Sequence, residues 1–465
     1  MVTSTPLKSS VDVYEWLSGF VNYERGQNLK NFCLERMETL SELTGRPDKC
    51  APSFHIAGSK GKGSVTGMIA AILESSGIKT AVYASPHVSD FRERLRSGSG
   101  FFAEDVYVGA GNDLKELINS LEKSSYRELN GEEPSFFELM TLWFFLCARL
   151  ANSGAMSLET GMGGRLDATN IVDPLVSIIT LIELEHTEIL GSTIPAIAGE
   201  KAGIIKPGKP LVLARQKPEA LEVFSEHACH KNSRLVYFPD NAEILNITLN
   251  RSGTRFDYIE KNPAGGSQGT ISDLFIPLPG EVQAYNAGLA ILAVKTVYPD
   301  MDSKIIRAGL SNFTLPARFE KVSEKPQLVI DGAHTKNSME LCVGTFTKLY
   351  GSGAILIFGC AAGKDLASMA KICVPCFSRI IITAPGTFKI SYPREIYNVF
   401  SMESKKNRVS PDILFMQETE NAIDLAINLA IEKELPVLGT GSFYLAAEIR
   451  KRIFDEDRRN SVHSL

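Results

Sequence analysis

Gly58-Ser59-Lys60-Gly61-Lys62-Gly63-Ser64 concentrates glycine, lysine and hydroxyl groups in one short segment. Glycines let a backbone curl around phosphate oxygens with its N–H groups turned inward, and a helix that starts there adds partial positive charge. In such a loop Lys62 would neutralise the β- and γ-phosphates of a nucleotide, while Ser64 would approach a metal ion. Gly63 separates the lysine from the hydroxyl residue, which departs from the general phosphate-loop pattern. A solvated Gly/Ser turn is the alternative reading. The expected strand before the segment and helix after it favour phosphate.

Two more oxygen-bearing residues, Ser85 and Glu159, fall at the carboxyl ends of expected strands, where open α/β sheets bind ligands. Mg²⁺ takes oxygen ligands and keeps some water, so both residue types suit it. Other groups carry less chemistry. Cys373 and Cys376 form a single CxxC with Pro375 inside it, expected to be ordinary buried thiols. His227, Cys229 and His230 sit in an expected helix, 218–231, as a surface face.

These residues need a scaffold, and the chain supplies one. From Ser53 to about Pro210, β-rich runs alternate with helical patterns: strands at 54–57, 80–83, 156–159, 175–182 and 210–214, with helices at 63–76 and 136–152. That is the rhythm of a parallel sheet covered by helices on both faces. Residues 241–279 break it with alternating runs that predict antiparallel strands. Helical spacing resumes at 282–297 and 303–310, and 312–316 reads as a linker. A second βα series follows, with strands at 327–331, 354–359, 378–383, 413–416 and 436–439. The expected class is α/β: a P-loop-type parallel-sheet ATPase domain over 1–315, then a smaller Rossmann-like domain over 316–465.

Composition narrows the function classes. Of 465 residues, 44% are hydrophobic and 22% charged, and 49 Lys and Arg against 54 Asp and Glu leave a formal charge of −5. This balance gives no reason to expect nucleic-acid or membrane-surface binding. The apolar run 139–148 is closed by Glu138 and Arg149, too short for a membrane span. Asp12 and Glu15 interrupt the first apolar stretch, unlike a signal peptide. Eight scattered cysteines fit reduced thiols in the cytoplasm, and a monomer is expected.

With its extra glycine, Gly61-Lys62-Gly63-Ser64 resembles the ATP loop of the Mur ligase superfamily, particularly its branch of folylpolyglutamate and dihydrofolate synthases. Further landmarks follow in order: Tyr83-Ala84-Ser85-Pro86-His87, the run Glu159-Thr160-Gly161-Met162-Gly163-Gly164-Arg165-Leu166-Asp167-Ala168-Thr169-Asn170, Glu185-His186-Thr187, and Gly199-Glu200-Lys201-Ala202-Gly203-Ile204. Asn286, Leu315-Pro316-Ala317-Arg318-Phe319, Asp331-Gly332-Ala333-His334 and Gly441-Ser442-Phe443 complete the set, which covers nearly the whole chain.

The resemblance implies an ATP loop formed by Gly58 to Ser64, with Asn286, Arg318 and Asp331 completing the nucleotide site. It implies two Mg²⁺ sites drawing on Ser64, Ser85, Glu159, His186 and Lys201. Lys201 would be carbamylated, which turns a repelling ammonium into an anionic oxygen donor. On residue type alone, His186 also fits a strand-end histidine bonded to a backbone carbonyl, and Lys201 a helix-surface lysine. The pterin-bearing substrate is expected near Asn31-Phe32-Cys33-Leu34-Glu35-Arg36, Ser135-Phe136-Phe137-Glu138 and Leu166-Asp167-Ala168; Phe136 and Phe137 equally suit a core. His334 and Ser442 match positions for the incoming glutamate. Two residues depart from the family: Glu185 replaces an aspartate and takes no assigned role, and Thr335 stands where asparagine is usual.

The implied activity is ATP-dependent ligation of L-glutamate to a folate or to dihydropteroate through an acyl phosphate, with Lys62, Lys201, His186 and Arg318 in catalytic roles. Another Mur-superfamily ligase of cell-wall synthesis and a non-catalytic nucleotide-binding module are the rivals. A GTPase would need a guanine-reading Asn-Lys-x-Asp motif, which the sequence lacks.

Overall fold

Short runs of Val, Ile, Leu and Phe between helices can satisfy their backbone groups only by pairing with one another, and in the chain they form three sheets. The computed structural model describes residues 5–23, 33–121, 133–261, 267–386, 389–406 and 411–462. Asn31 and Phe32, expected near the pterin, lie outside them.

The first sheet contains β1 (Ser53–Ala57), β2 (Thr80–Tyr83), β3 (Leu95–Ser97), β4 (Ala155–Glu159), β5 (Val176–Ile179), β6 (Leu211–Leu213) and β7 (Leu235–Tyr237), in the order β3-β2-β4-β1-β5-β6-β7. Only β3 runs antiparallel to its neighbour. Ile56 pairs with Glu159 on one side and Ile178 on the other, so the carboxyl ends of β1, β4 and β5 finish level. The edge strands β3 and β7 are three residues long and have no clear periodicity, which is why the sequence reading omits them.

One face of this sheet packs on helices α1 (Lys62–Ser75) and α4 (Glu281–Val297), and α4, with the helix Ser303–Ser311, also carries the antiparallel sheet β8 (Ala242–Asn250), β9 (Gly253–Lys261) and β10 (Ser267–Ile276). The other face packs on α2 (Phe136–Leu150). Twelve of the fifteen residues of α2 are buried, and its N-terminus is held by a capping box between Ser135 and Glu138. Helix α3 (Ile194–Ala202) covers the β5–β6 end.

The third sheet has the order β11-β12-β16-β13-β14-β15, from β11 (Glu320–Glu324), β12 (Gln327–Ile330), β13 (Ala354–Phe358), β14 (Phe377–Ile382), β15 (Asp412–Phe415) and β16 (Val437–Thr440). It is parallel apart from β11, with apolar clusters on both faces. Helices α5 (Lys336–Tyr350) and α6 (Phe443–Val462) follow β12 and β16. The expected α/β class and the antiparallel insertion are both present; β11 goes unforeseen because Glu-Lys-Val-Ser-Glu is mostly polar.

The connector after Ser311 is not free of the first core. Phe313 is 3% exposed and packs there, its ring so close to α1 that a Cβ on Gly67 would lie 2.5 Å from Cε2. Polar, exposed contacts join the modules of the two larger sheets: Arg251 donates to the Leu349 carbonyl and to Gln327, Lys348 to Glu281, and Arg450 to Ser89; Val88 adds an apolar contact, packing on the second module's core. No helix among the described residues is long and apolar enough to cross a membrane.

Candidate nucleotide and ligation site

The glycine-rich loop leaves the carboxyl end of β1 and ends at Gly61, the N-cap of α1. Two of its glycines have conformations that other residues rarely adopt: φ is +148° at Gly58 and +88° at Gly61. Close approach adds a second requirement. A Cβ on Gly58 would fall 1.8 Å from Thr180 Oγ1, and one on Gly61 would fall 2.5 Å from Asn286 Oδ1. Asn286, on α4, thus touches the loop, and its Nδ2 donates to Gln283 Oε1 at 3.1 Å. The extra glycine has a neighbour as well: Glu159 Oε2 lies 3.2 Å from where a Gly63 Cβ would be.

The N–H groups of Ser59 and Lys60 both donate to the Leu181 carbonyl, at 2.9 and 3.2 Å. The inward donors left by this arrangement belong to the first turn of α1, including Lys62, Gly63 and Ser64, where helical amides have no preceding carbonyl. The Lys62 ammonium donates to the Gly58 carbonyl at 3.0 Å, folded back across the loop.

Lys201 is the largest departure from the surface-lysine alternative. It is 1% exposed, and its ammonium donates to the same Gly58 carbonyl at 2.8 Å and to Glu185 Oε1 at 2.9 Å. Burial lowers its pKa to about 8 from an ordinary 10.5, and Lys62 adds repulsion that Glu185 partly offsets. Burial pushes the Glu185 carboxyl up, but Lys62 and Lys201 together outweigh it and hold the group below its usual range. Glu185, unassigned from sequence, is therefore the ion-pair partner of Lys201. No sequence signal marks it, because the pair spans two elements.

Glu159 is buried at the end of β4, and its Oε2 accepts the Ser85 N–H at 3.4 Å, a long contact. Burial raises its pKa, opposed by Lys62, the Ser85 N–H and Arg318. A buried carboxylate so weakly bonded, beside Ser85 and the glycine edge of α1, fits a cation. His186 is exposed, with φ +47° at the start of the short helix Thr187–Leu190. Among the described residues no three His, Cys, Asp or Glu side chains are grouped to hold a cation. In its ammonium form Lys201 would repel one.

From the second module, Arg318 lies over the Phe443 ring at 4.4 Å and is attracted by both Asp331 and Glu159. Gly332 permits this stack, since a Cβ there would meet Phe443 at 2.2 Å. Asp331 Oδ2 accepts the Phe319 N–H and Oδ1 the Ala333 N–H, both at 2.8 Å. The carboxylate therefore anchors the connector that carries Arg318, beyond its expected ribose contact. His334 Nδ1 bonds the Gly332 carbonyl at 2.8 Å, which makes Nδ1 the protonated nitrogen and leaves Nε2 as acceptor; burial lowers its pKa to about 4. Ser442 Oγ accepts the Leu445 N–H, a helix-capping bond. Thr335 also serves as a cap, for α5.

The residues expected near the pterin separate into two kinds. Phe136 is 1% exposed and packs in the core, which favours the second of its two readings. Phe137 is partly buried and packs against Gly161, whose Cβ would lie 2.3 Å from the ring. Asp167 accepts from Met162 N–H, Thr169 N–H and Thr169 Oγ1, and so shapes its own loop; Leu166 is half-buried and Ala168 buried. Arg36 and Glu138 are buried and paired with each other at 2.7 Å. None of the eight cysteines forms a disulfide, Cys373 and Cys376 included.

The chain is similar to known proteins over most of its length. Residues 132–294 match the Mur ligase middle domain and residues 317–443 the Mur ligase glutamate ligase domain. Folylpolyglutamate synthase of Lacticaseibacillus casei is 31% identical over 424 residues, covering 90% of this chain and 94% of that protein. Dihydrofolate synthase/folylpolyglutamate synthase of Bacillus subtilis is 30% identical over 428 residues, covering 90% and 94%. The structure of Mycobacterium tuberculosis folylpolyglutamate synthase complexed with ADP superposes with a TM-score of 0.83 at 26% identity, covering 96% of this chain and 98% of that one.

Proposed function

The chain belongs to the folylpolyglutamate and dihydrofolate synthase family of Mur ligases, and from that premise we propose that it uses ATP to join L-glutamate to a folate, to dihydropteroate, or to both. The observation that carries this reading is the phosphate loop, where Gly58 and Gly61 hold positive φ and Lys62 and the buried Lys201 converge on the Gly58 carbonyl.

A carboxylate is a poor acyl donor because oxide is a poor leaving group. Attack of the substrate carboxylate oxygen on the γ-phosphorus breaks its bond to ADP and gives an acyl phosphate. The amine of glutamate then attacks the acyl carbon, loses a proton and expels phosphate. The protein positions the partners and stabilises charge during the first transfer. The first-turn amides of α1 and Lys62 face the phosphates, Asn286 and Asp331 orient the nucleotide, and Arg318, held over the Phe443 ring, offsets charge on the transferred group. His334, neutral near pH 7, presents Nε2 as an acceptor toward the incoming glutamate.

Ser85, Glu159 and His186 would hold one Mg²⁺, with Ser64 approaching the metal, and a carbamylated Lys201 would help to hold a second; bound Mg²⁺ supplies positive charge to the phosphate oxygens. The buried, weakly bonded Glu159 and the depressed pKa of Lys201 support this assignment. Division at about residue 315 into an ATP-binding domain and a glutamate-ligase domain follows the separation of the sheets. Phe137, Leu166 and the Asp167–Ala168 turn are the remaining candidates for contact with the pterin-bearing substrate. We place the enzyme in the cytoplasm as a monomer.

The deciding experiment incubates purified protein with ATP and glutamate, once with dihydropteroate and once with tetrahydrofolate, and follows ADP and the amide product. A new γ- or α-amide formed with stoichiometric ADP supports the reading. ADP release without amide in both incubations sinks it.

A further inference from the structure

Resting on that reading, we infer that Glu183 is a positioning residue that couples the phosphate loop to the second module through Asn337. The segment from Thr180 to His186 is a strap laid along the loop. Ser59 and Lys60 donate their N–H groups to its Leu181 carbonyl, and Ser59 Oγ donates to its Glu183 carbonyl at 3.0 Å. Gln216 fixes the strap from behind, donating to the Thr180 carbonyl at 2.8 Å and accepting the Ile182 N–H at 3.1 Å. Farther along, Glu185 binds Lys201. The loop, the buried lysine and the strap therefore move as one body.

Glu183 is the point where that body reaches across. Its Oε1 accepts from Asn337 Nδ2 at 3.1 Å, and Asn337 lies in the first turn of α5, just after His334 and Thr335. A carboxylate is favoured at a helix N-terminus, so the charge on Glu183 suits this contact beyond the single hydrogen bond. The contact is exposed and modest in strength, as a latch that forms and breaks in each turnover must be. Its effect is to transmit a shift of Ser59 and Lys60 to the helix that follows the glutamate-side histidine.

Reversal of donor and acceptor tests the latch. Asn337→Asp sets two carboxylates against each other, and kcat for amide formation should fall about three- to tenfold, the scale of one such bond lost. KM for ATP and Tm should change little. In the double variant Glu183→Gln/Asn337→Asp, the glutamine amide donates to the new carboxylate, and kcat should return to within about twofold of wild type. Unchanged kcat in the single variant, or no recovery in the double one with Tm preserved, overturns the coupling. A second test needs no ligase activity. With Glu183→Cys/Asn337→Cys, a non-hydrolysable ATP analogue should accelerate disulfide formation several-fold over nucleotide-free protein. Equal rates overturn the latch, whereas absence of amide formation by the wild-type protein overturns only the proposed function.

Discussion

Lys62 and Lys201, far apart in sequence, donate to one acceptor, the carbonyl of Gly58, at 3.0 and 2.8 Å. Two ammonium groups on one oxygen repel each other, and Glu185 relieves only part of that repulsion. The arrangement favours loss of one positive charge or arrival of an anion between them. Nucleotide phosphate supplies the anion, and carbamylation of Lys201 removes the charge.

Lys62→Ala should lower amide formation by at least about a hundredfold, the scale for losing one preorganised charge contact to a transferring group. The side chain is half-buried over the loop and is not part of the core, so Tm should stay within a few degrees. Turnover and thermal melting measured on the same preparation decide the matter. Near-normal turnover would remove Lys62 from the phosphate site.

Lys201 reacts with CO₂ only as the free amine. With a pKa of about 8, roughly a tenth is free at pH 7 and half at pH 8, so activation at a fixed concentration of dissolved CO₂ should quicken about fivefold between these values. Lys201→Ala should impair turnover, with partial restoration by added acetate. The stability linkage has a definite sign. The folded protein sheds this proton near pH 8 and the unfolded chain only near 10.5, so the unfolded state binds more protons in between. The Tm of wild type should therefore rise relative to Lys201→Met as pH goes from about 8 toward 10; a constant difference would refute the depressed pKa.

Arg318→Ala should lower kcat more than it weakens ATP binding, because Arg318 completes the site from the second module. Phe443→Leu should produce a smaller loss of the same kind by removing the ring beneath the guanidinium. Equal losses in kcat and ATP affinity, read from steady-state kinetics and equilibrium titration, would show Arg318 to be a simple binding group.

Gly67→Ala should destabilise by about 1–3 kcal/mol, because the added methyl meets the Phe313 ring and displaces the connector. A fragment ending after Pro316 should fold and bind nucleotide without forming amide, whereas one ending before Phe313 should melt lower. Full-length ligation rates from the longer fragment would rule out a site shared between modules.

Phe136→Ala should cost about 3–5 kcal/mol with little change in KM for the pterin substrate, since the ring is core. Phe137→Ala should do the reverse, raising KM with a smaller fall in Tm. Denaturant melts and KM values for both variants separate the two roles.

The phosphate loop, the parallel strands around it, the antiparallel insertion and the second βα series were legible in the sequence because their signals are local. Glycine spacing, β-branched runs and helical periodicity each act within a few residues. The three-residue edge strands and polar β11 gave too little periodicity to register. What only the tertiary structure decided are the pairings between distant segments. Periodicity puts Phe136 and Phe137 on one helix, but packing makes the first core and sets the second against Gly161. Residue type allows Lys201 to lie on a surface; the fold buries it on Gly58 and Glu185, and burial, not its own chemistry, brings its pKa down to about 8. Asp331 and Ser442 look like ligand residues in the chain, yet they also bond backbone N–H groups, because a buried acceptor takes its partners from whatever segment the fold lays beside it.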